Sequence, residues 1–234
     1  MHTQYSLLLI KKVCLLILLM LPFLAEAQLP KERNFKLGFT TSPNMAWMSF
    51  PSNAQLQVDA EPQSDGSRIG FSYGLLGDFG FSDNYYFSSA FTVTTINAKT
   101  KFMDALSPPP NVSLNTYKLQ YLEVPLTLKL KTTERKNMRY FGQFGISTGF
   151  NIVAKLDMES MNSGENTINV KNRDVKSEIN TFRLGLIFGG GVEWKMSQNL
   201  NLLTGLSYNN GFTNVSGTGT AKNSYLTLNL GIFF

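Results

Sequence analysis

A short motif in the middle of the chain matches a pattern that serine hydrolases use. Gly145, Ser147 and Gly149 give the spacing G-x-S-x-G, in which the serine sits on a sharp strand-to-helix turn and is activated by a histidine. Here the serine falls within an alternating, strand-like segment, and the single histidine of the sequence is His2. We therefore interpret the motif as accidental.

The first residues of the chain have the features of a cleaved secretory signal peptide, 1–27. Lys11-Lys12 precede an uncharged apolar stretch, and an Ala-Glu-Ala processing site follows it. The stretch is about half of the roughly 20 residues that a membrane-spanning helix needs, which disfavours a retained anchor. Cleavage would remove His2 and the single cysteine, Cys14. We therefore expect the exported chain, 28–234, to form no disulfide, zinc site or nucleophile-histidine pair.

Three carboxylates, Asp78, Glu123 and Glu193, are the candidates for acid-base chemistry in the interior of the predicted fold. Paired carboxylates can act as general acid and base, but basic neighbours would keep them ionised, which favours ion pairs. An unpaired buried charge costs several kcal/mol, so we expect Glu123 and Glu193 each to contact Lys129 or Arg183. A proton relay or a ligand site remains the alternative. The residues assigned inward by alternation are Lys36, Arg68, Asp78, Glu123, Lys129, Arg183 and Glu193.

Strands must position these side chains, because alternation with a period of two recurs along the chain and no long apolar stripe has helical spacing. The predicted strands are 35 to 48, 68 to 81, 85 to 97, 117 to 131, 139 to 154, 181 to 196, 199 to 211 and 224 to 234. The long connections between them are 49 to 67, 98 to 116, 155 to 180 and 212 to 223, and they alternate with short ones. Pro43 and Pro125 require bulges, strand edges or local breaks, because proline donates no ladder hydrogen bond.

One face of these strands is apolar. Apolar residues occupy the even positions from Leu122 to Leu130, whereas Glu123, Thr127 and Lys129 lie on the other face. No charged residue lies in mid-strand on the apolar face, where a lysine or arginine at the bilayer midplane would cost about 2 to 4 kcal/mol. A closed barrel satisfies every backbone polar group in lipid, so we expect the apolar face to point outward.

The predicted fold class is therefore all-β: an eight-stranded antiparallel up-and-down transmembrane β-barrel in the outer membrane, with long extracellular loops and short periplasmic turns. Side chains fill the interior of a barrel of this size, so we expect a packed polar lumen. Aromatic residues on the apolar face at strand ends are expected at the two membrane interfaces. Those near short turns or the chain end are Phe81, Tyr85, Tyr140, Trp194 and Phe234, and those near long loops are Phe150, Phe182 and Tyr208.

The segment from Tyr121 to Lys129, with the sequence YLEVPLTLK, is followed by RYFGQFG from Arg139 to Gly145. It resembles the Y-L-E-(I/V)-P-L-x-L-K segment of the PorT-like outer-membrane barrel family. The resemblance implies a small porin-type barrel; most members have no assigned activity, and the founding member is implicated in type IX protein secretion. Glu123, Pro125 and Lys129 carry over as positions of the family pattern, not as an active site.

Three functions are compatible with these patterns. The leading hypothesis is a non-enzymatic outer-membrane barrel with a structural or secretion-accessory role; a narrow porin for ions or small solutes and a soluble lipocalin-like ligand barrel are the alternatives. The expected partners are outer-membrane lipid, the barrel-assembly machinery during insertion and secretion-system proteins, with no cofactor or metal. The formal net charge of +5, which leader removal would lower to +4, does not suggest nucleic acid.

Overall fold

The computed structural model describes residues 35–50, 63–104, 111–161, 167–217 and 219–234. The predicted signal peptide, 1–27, lies outside the described residues, as do parts of the predicted long connections. No helix among the described residues is long and apolar enough to cross a membrane. The strands are β1 (Phe35–Ser49), β2 (Gln63–Ser82), β3 (Tyr85–Asp104), β4 (Asn111–Lys131), β5 (Met138–Met161), β6 (Thr167–Asp174), β7 (Phe182–Lys195), β8 (Asn201–Gly211) and β9 (Lys222–Phe233).

Eight of the nine described strands close into a ring. Antiparallel pairing runs from β1 through β5, continues through β7, β8 and β9, and returns to β1. β6 lies outside the ring and pairs with the far end of β5. The predicted eight-stranded up-and-down barrel is confirmed. The β5–β6 hairpin is an addition to it, because its residues were expected to be part of a loop.

The two ends of the barrel differ in their connections. At one end, which we call the short-turn end, β2 and β3 are joined through 83–84, β4 and β5 through 132–137, and β7 and β8 through 196–200. Lys136 and Asn137 have φ angles of 50° and 60°, as a tight hairpin turn requires. The other end, which we call the long-loop end, carries the remaining connections between the strands of the ring.

The outer face near the short-turn end is apolar and exposed. Leu126 of β4 is 37% exposed, and the neighbouring inward residues Glu123 and Thr127 are buried. Leu228 of β9 is 44% exposed and alternates with the buried Thr227. The apolar side chains thus point outward, as predicted. A soluble lipocalin-like barrel requires the reverse arrangement, so the structure contradicts that alternative.

Towards the long-loop end, the polarity of the two faces is exchanged. In β4, Leu119 is buried inside while Lys118 lies on the outer face. In β5 a bulge accompanies the exchange. Gln120 pairs with Val153 and Tyr121 with Asn151, so Ile152 has no partner on β4. A one-residue shift moves all following side chains to the opposite face. We call the part of the barrel beyond this level the extension. Its wall is apolar inside and polar outside.

The extension changes several strand boundaries. β2 begins at residue 63 and not 68, β3 ends at 104 and not 97, β4 begins at 111 and not 117, and β5 ends at 161 and not 154. Of the three arrangements predicted for the prolines, the structure shows local breaks. The β1–β9 ladder is interrupted between Thr40 and Asn44, around Pro43, and the β3–β4 ladder is interrupted between Ser89 and Thr92, opposite Pro125.

Candidate functional site in the barrel lumen

Four charged side chains meet inside the short-turn end. Lys129 and Lys131 occupy alternate positions of β4, so both point inward, with their Nζ atoms 2.9 and 2.8 Å from the Asp78 carboxylate. The Lys131 Nζ atom also lies 2.6 Å from Glu193 Oε1, and Ser88 donates its hydroxyl to Asp78 at 2.5 Å. All four charged side chains are buried. We name Asp78, Lys129, Lys131 and Glu193 the lysine cluster.

Aromatic rings surround the two ammonium groups of the lysine cluster. The Lys131 Nζ atom is 4.0 Å from the centroid of the Tyr86 ring. The Lys129 Nζ atom is 5.2 Å from the Phe141 ring and 5.4 Å from the Phe233 ring. The negative face of an aromatic ring attracts a cation, by about 2 kcal/mol or more when the cation is desolvated. Rings and carboxylates together stabilise two buried positive charges.

A second charged group lies closer to the long-loop end. Arg183 at the start of β7 contacts Glu123 Oε1 through Nη1 at 3.1 Å. Its Nε atom donates to Asn223 Oδ1 at 2.6 Å and its Nη2 atom to Asn209 Oδ1 at 2.7 Å. The hydroxyl of Tyr225 donates to the other oxygen of Glu123 at 2.6 Å. We name Arg183, Glu123, Tyr225, Asn209 and Asn223 the arginine cluster.

The geometry of the arginine cluster is that of a fixed ion pair. The three guanidinium nitrogens of Arg183 all donate hydrogen bonds, and both carboxylate oxygens of Glu123 accept one. Arg183 is 2% exposed and Glu123 is 3% exposed. Because these contacts use both oxygens of the carboxylate, they hold Glu123 in one position between Arg183 and Tyr225.

A polar cavity of about 100 Å³ separates the two clusters. Serine and threonine hydroxyls form much of its wall, with Glu123 and Lys129 also lining it. Thr227 Oγ1 and Asn229 Nδ2 line the cavity and have no hydrogen-bond partner among the described residues. A polar cavity of this size has room for ordered water molecules, which would satisfy such atoms. The lining also includes the apolar side chains of Leu76, Phe141 and Leu203, so the middle of the lumen can hold water but is not uniformly polar.

The interior of the extension is filled by apolar side chains. Its core includes Met48 and Leu119 from the strands, together with Val175, Ile179 and Val215 from the long-loop connections. Ile179 also forms a backbone bridge with Ser216, which ties two of these connections together. We name this cluster the apolar plug. It lies beyond the arginine cluster and fills the long-loop end of the lumen.

The G-x-S-x-G motif lies inside β5, where the backbone is extended and leads into no helix. Ser147 is 1% exposed and lines the polar cavity. A Cβ atom on Gly145 would lie 2.1 Å from the Leu126 carbonyl oxygen, and one on Gly149 would lie 3.2 Å from the Glu123 side chain. The glycines of the motif therefore allow close packing in the wall.

The structure places most of the inward candidates in the two clusters. Asp78, Lys129 and Glu193 are in the lysine cluster, and Glu123 and Arg183 are in the arginine cluster. Glu123 contacts Arg183 as expected. Glu193 contacts Lys131, and not Lys129 or Arg183, because Lys131 lies one inward position closer to the short-turn end.

Two further candidates lie elsewhere. Lys36 is half-buried at the short-turn end and faces Asp78 in the β1–β2 register. Arg68, which alternation assigned to the lumen, is exposed at the long-loop end of β2 and borders an outer groove. The assignment was wrong for Arg68 because β2 extends beyond the closed part of the barrel and its register with β3 shifts between Ser67 and Ser72.

Sequence reasoning missed several residues of the two clusters. Lys131 is the last residue of β4 and was obscured by the polar turn that follows, although its odd number places it on the inward face. Tyr225, Asn209 and Asn223 also have inward parity, but they are uncharged, so no charge-pairing argument identified them. Among the described residues, no group of three or more His, Cys, Asp or Glu is placed to hold a metal ion.

The aromatic candidates lie on the outer face. Seven of the eight are exposed: Phe81, Tyr85, Tyr140, Phe150, Phe182, Trp194 and Phe234. The eighth, Tyr208, is half-buried and stacks on Trp47 with ring centroids 6.0 Å apart. Phe81 contacts Tyr85 and Phe150 contacts Phe182 at opposite ends of the barrel. Their placement at membrane interfaces stays a prediction.

Comparisons with known proteins give one family match and several structural neighbours. A family model described as the outer membrane protein beta-barrel domain matches residues 26–217. Neisserial surface protein A has a TM-score of 0.45 at 14% identity, covering 85% of this chain and 95% of that one. The outer membrane protein OprG from Pseudomonas aeruginosa has a TM-score of 0.47 at 11% identity, covering 88% and 97% respectively. The comparison with curated proteins gives no match.

Proposed function

The chain belongs to the outer membrane protein beta-barrel domain family, and from this premise we propose that it is a non-enzymatic barrel with a closed lumen, whose extension contacts partner proteins outside the cell. The outer membrane is the location that family membership implies. In such barrels short turns face the periplasm, so the lysine cluster lies at the periplasmic end and the apolar plug at the extracellular end.

The observation that carries this proposal is the obstruction of the lumen at three successive levels. The lysine cluster and its aromatic rings fill the short-turn end, the arginine cluster crosses the barrel above the cavity, and the apolar plug fills the extension. Moving an ion past these levels would require separating paired buried charges, which costs several kcal/mol per ion. A closed lumen favours a structural role over the narrow-porin alternative.

Planar-bilayer recording tests the closed lumen directly. The refolded chain, with folding verified by heat-modifiable gel mobility in the same preparation, is expected to produce no conductance steps across the voltage range that the bilayer withstands. A liposome-swelling assay with small sugars gives a second, uncharged readout and is also expected to be negative. Reproducible conductance steps from the folded protein would reject the closed lumen and favour the porin.

The more specific proposal is a secretion-accessory role, as in the PorT-like family. It is supported by the YLEVPLTLK segment, which supplies Glu123 and Lys129 to the two clusters, and by the extension, which projects a polar outer wall beyond the lipid. Photo-crosslinking in intact cells, with the probe at Glu159 in the extension, would then capture components of a type IX secretion system. The same probe at Lys136, in the periplasmic turn, is the control for random capture. Equal capture from both positions, or none from Glu159, would count against the role.

We also propose that residues 1–27 are removed during export. The mature protein purified from outer membranes should then begin at Gln28 and contain no cysteine. Intact-mass measurement distinguishes this form from the full chain. A mass equal to that of the full chain would refute the cleavage without affecting the barrel.

A further inference from the structure

A groove of about 670 Å³ lies on the outer face of the extension and has no role in the closed lumen. β2, β3, β4, β5 and β6 all contribute to its wall. Its cationic lining residues are Arg68, Lys99, Lys118 and Lys171, and its carboxylates are Asp157 and Glu159. Two apolar side chains, Ile69 and Leu114, share the lining. The groove therefore combines excess positive charge with apolar surface.

The strand register places this groove next to the lipid-facing wall. Val93, Leu122 and Phe150 lie side by side as the last fully apolar row, followed by a row with Gln120 and Val153. The next row carries Asn97, Lys118 and Lys155, four residues or about 13 Å beyond the last fully apolar row along the strands, and about 10 Å along the membrane normal at a tilt of about 40°. The interfacial layer of a bilayer is about 5 to 7 Å thick on each side. The first charged row thus lies just outside the headgroup layer, within reach of the headgroups for long side chains such as lysine.

Two positive charges, on Lys118 and Lys155, lie side by side in that row, and the Asp174 carboxylate of β6 flanks Lys155 on its other side. Lys118 of β4 lines the groove and Lys155 of β5, its direct cross-strand partner, lies beside it; like charges in direct opposition repel each other. Lys118 contacts Asp157 at 2.5 Å in the next row, and Lys99 contacts Asp65 at 2.8 Å. The described ion pairs do not include Lys155, Arg68 or Lys171, and these three side chains are exposed.

We propose that this groove binds the phosphorylated headgroup of an outer-leaflet lipid. Exposed cations close to the headgroup layer attract anionic lipid, each contributing about fivefold in affinity. Ile69 is 77% exposed beside the cations, and an apolar side chain at this position suits an amphiphile better than a fully hydrated anion. The inference rests on the outer-membrane location and goes beyond the closed-barrel function, since it concerns the outer wall alone.

The test uses nanodiscs of phosphatidylcholine that contain a small fraction of diphosphorylated lipid A. Native mass spectrometry of the released protein measures the fraction that carries lipid A. The site variant R68Q/K155Q/K171Q removes three exposed cations without breaking a described ion pair. The control variant R135Q/K136Q/K222Q removes the same residue types from exposed positions away from the groove. Heat-modifiable mobility verifies that both variants are folded.

We expect the site variant to bind lipid A about a hundredfold more weakly than the wild type, since each lost cation removes about fivefold in affinity and the three factors multiply, and the control variant to match the wild type. Lipid A without phosphate should bind equally weakly to all three proteins. Equal retention by the site variant and the wild type, or equal loss in both variants, would overturn the proposal. Displacement of lipid A by equimolar inorganic phosphate would also overturn it, because it would identify a site for a free anion.

Discussion

The buried charges of the lumen stabilise the protein only as complete sets. Transferring a guanidinium or carboxylate from water into a protein interior costs several kcal/mol per ion, which the partner charge and hydrogen bonds must offset. Arg183 meets this requirement through Glu123, Asn209 and Asn223. Removing one member leaves the others buried without a partner. The loss of stability on substitution therefore depends on whether a charged group is left without its partner.

Substitution of Arg183 by leucine should destabilise the barrel by about 3 to 5 kcal/mol, because it leaves the Glu123 carboxylate buried and uncompensated. The double variant R183L/E123L removes both charges and should recover much of that loss. Denaturant unfolding in detergent, followed by the fluorescence of Trp47 and Trp194, measures both values. A double variant that is no more stable than R183L would contradict this explanation.

Gly145 illustrates a requirement of the wall itself. A Cβ atom there would lie 2.1 Å from the Leu126 carbonyl oxygen, so G145A must displace a neighbouring strand and should cost about 1 to 3 kcal/mol. Gly142 in the same strand is the matched control, because nothing lies within 4 Å of the position of its Cβ. G142A should unfold at the denaturant concentration of the wild type or slightly above it. Equal losses in the two variants would show that the close approach is not the cause.

At the scale of the strand, each long strand that continues into the extension has two parts whose inner and outer faces have opposite polarity. In β4 the outer face changes from Leu122 to Lys118, while the inner face changes from Glu123 to Leu119. In β5 the bulge at Ile152 makes the corresponding exchange. The part of each strand near the short-turn end therefore buries its apolar side chains in lipid outside the barrel. The part in the extension buries them in the protein core inside the barrel.

This exchange explains which elements could be predicted from the sequence. The eight strands were recognisable because Leu126 and its equivalents mark a continuous lipid-facing stripe. The extension was not recognisable, because beyond Ile152 the apolar residues lie on the inner face. The alternation that marks the lipid-facing stripe therefore ends at this residue. β6 has apolar residues at Ile168 and Val170 only, too few for a periodic signal. In the lumen, parity identified the charged residues, but the partners of Arg183 come from β4, β8 and β9, and sequence alone does not give that proximity.

The β5–β6 hairpin should loosen in acid. Asp157 lies on the extension, beyond the lipid-facing part of β5; the hydrogen bond from Lys118, together with that from the Asn172 amide, keeps the pKa of Asp157 below its ordinary value of 3.8. Because the folded pKa is lowered, this contribution to stability is present above the ordinary pKa and is lost as the pH falls through the folded pKa. Carboxyl NMR titration should give a midpoint below 3.8 for the wild type and a higher one for K118Q. A wild-type midpoint at or above the ordinary value would contradict the assigned contacts.

At the scale of the whole molecule, the three obstructions of the lumen depend on different kinds of interaction. The lysine cluster depends on charges and rings, the arginine cluster on a hydrogen-bonded ion pair, and the apolar plug on hydrophobic burial. They are also separated along the barrel, with the polar cavity between the first two. The arginine cluster and the apolar plug share Tyr225, which belongs to the apolar core and donates its hydroxyl to Glu123. The lysine cluster shares no residue with the plug, so its independence from the plug is the clearer expectation, since sites without shared contacts have nearly additive effects.

The variant V175S/I179S/V215S tests this independence by weakening only the apolar plug. Removing three buried apolar side chains from the long-loop connections should release those connections, so we expect faster proteolysis within 167–180 and 212–217 while the ring itself keeps its heat-modifiable mobility. Planar-bilayer recordings of the same variant should stay silent, because the arginine and lysine clusters still cross the lumen. Conductance in this variant would identify the plug as the sole barrier, and the two charged clusters would then be the wall of a channel.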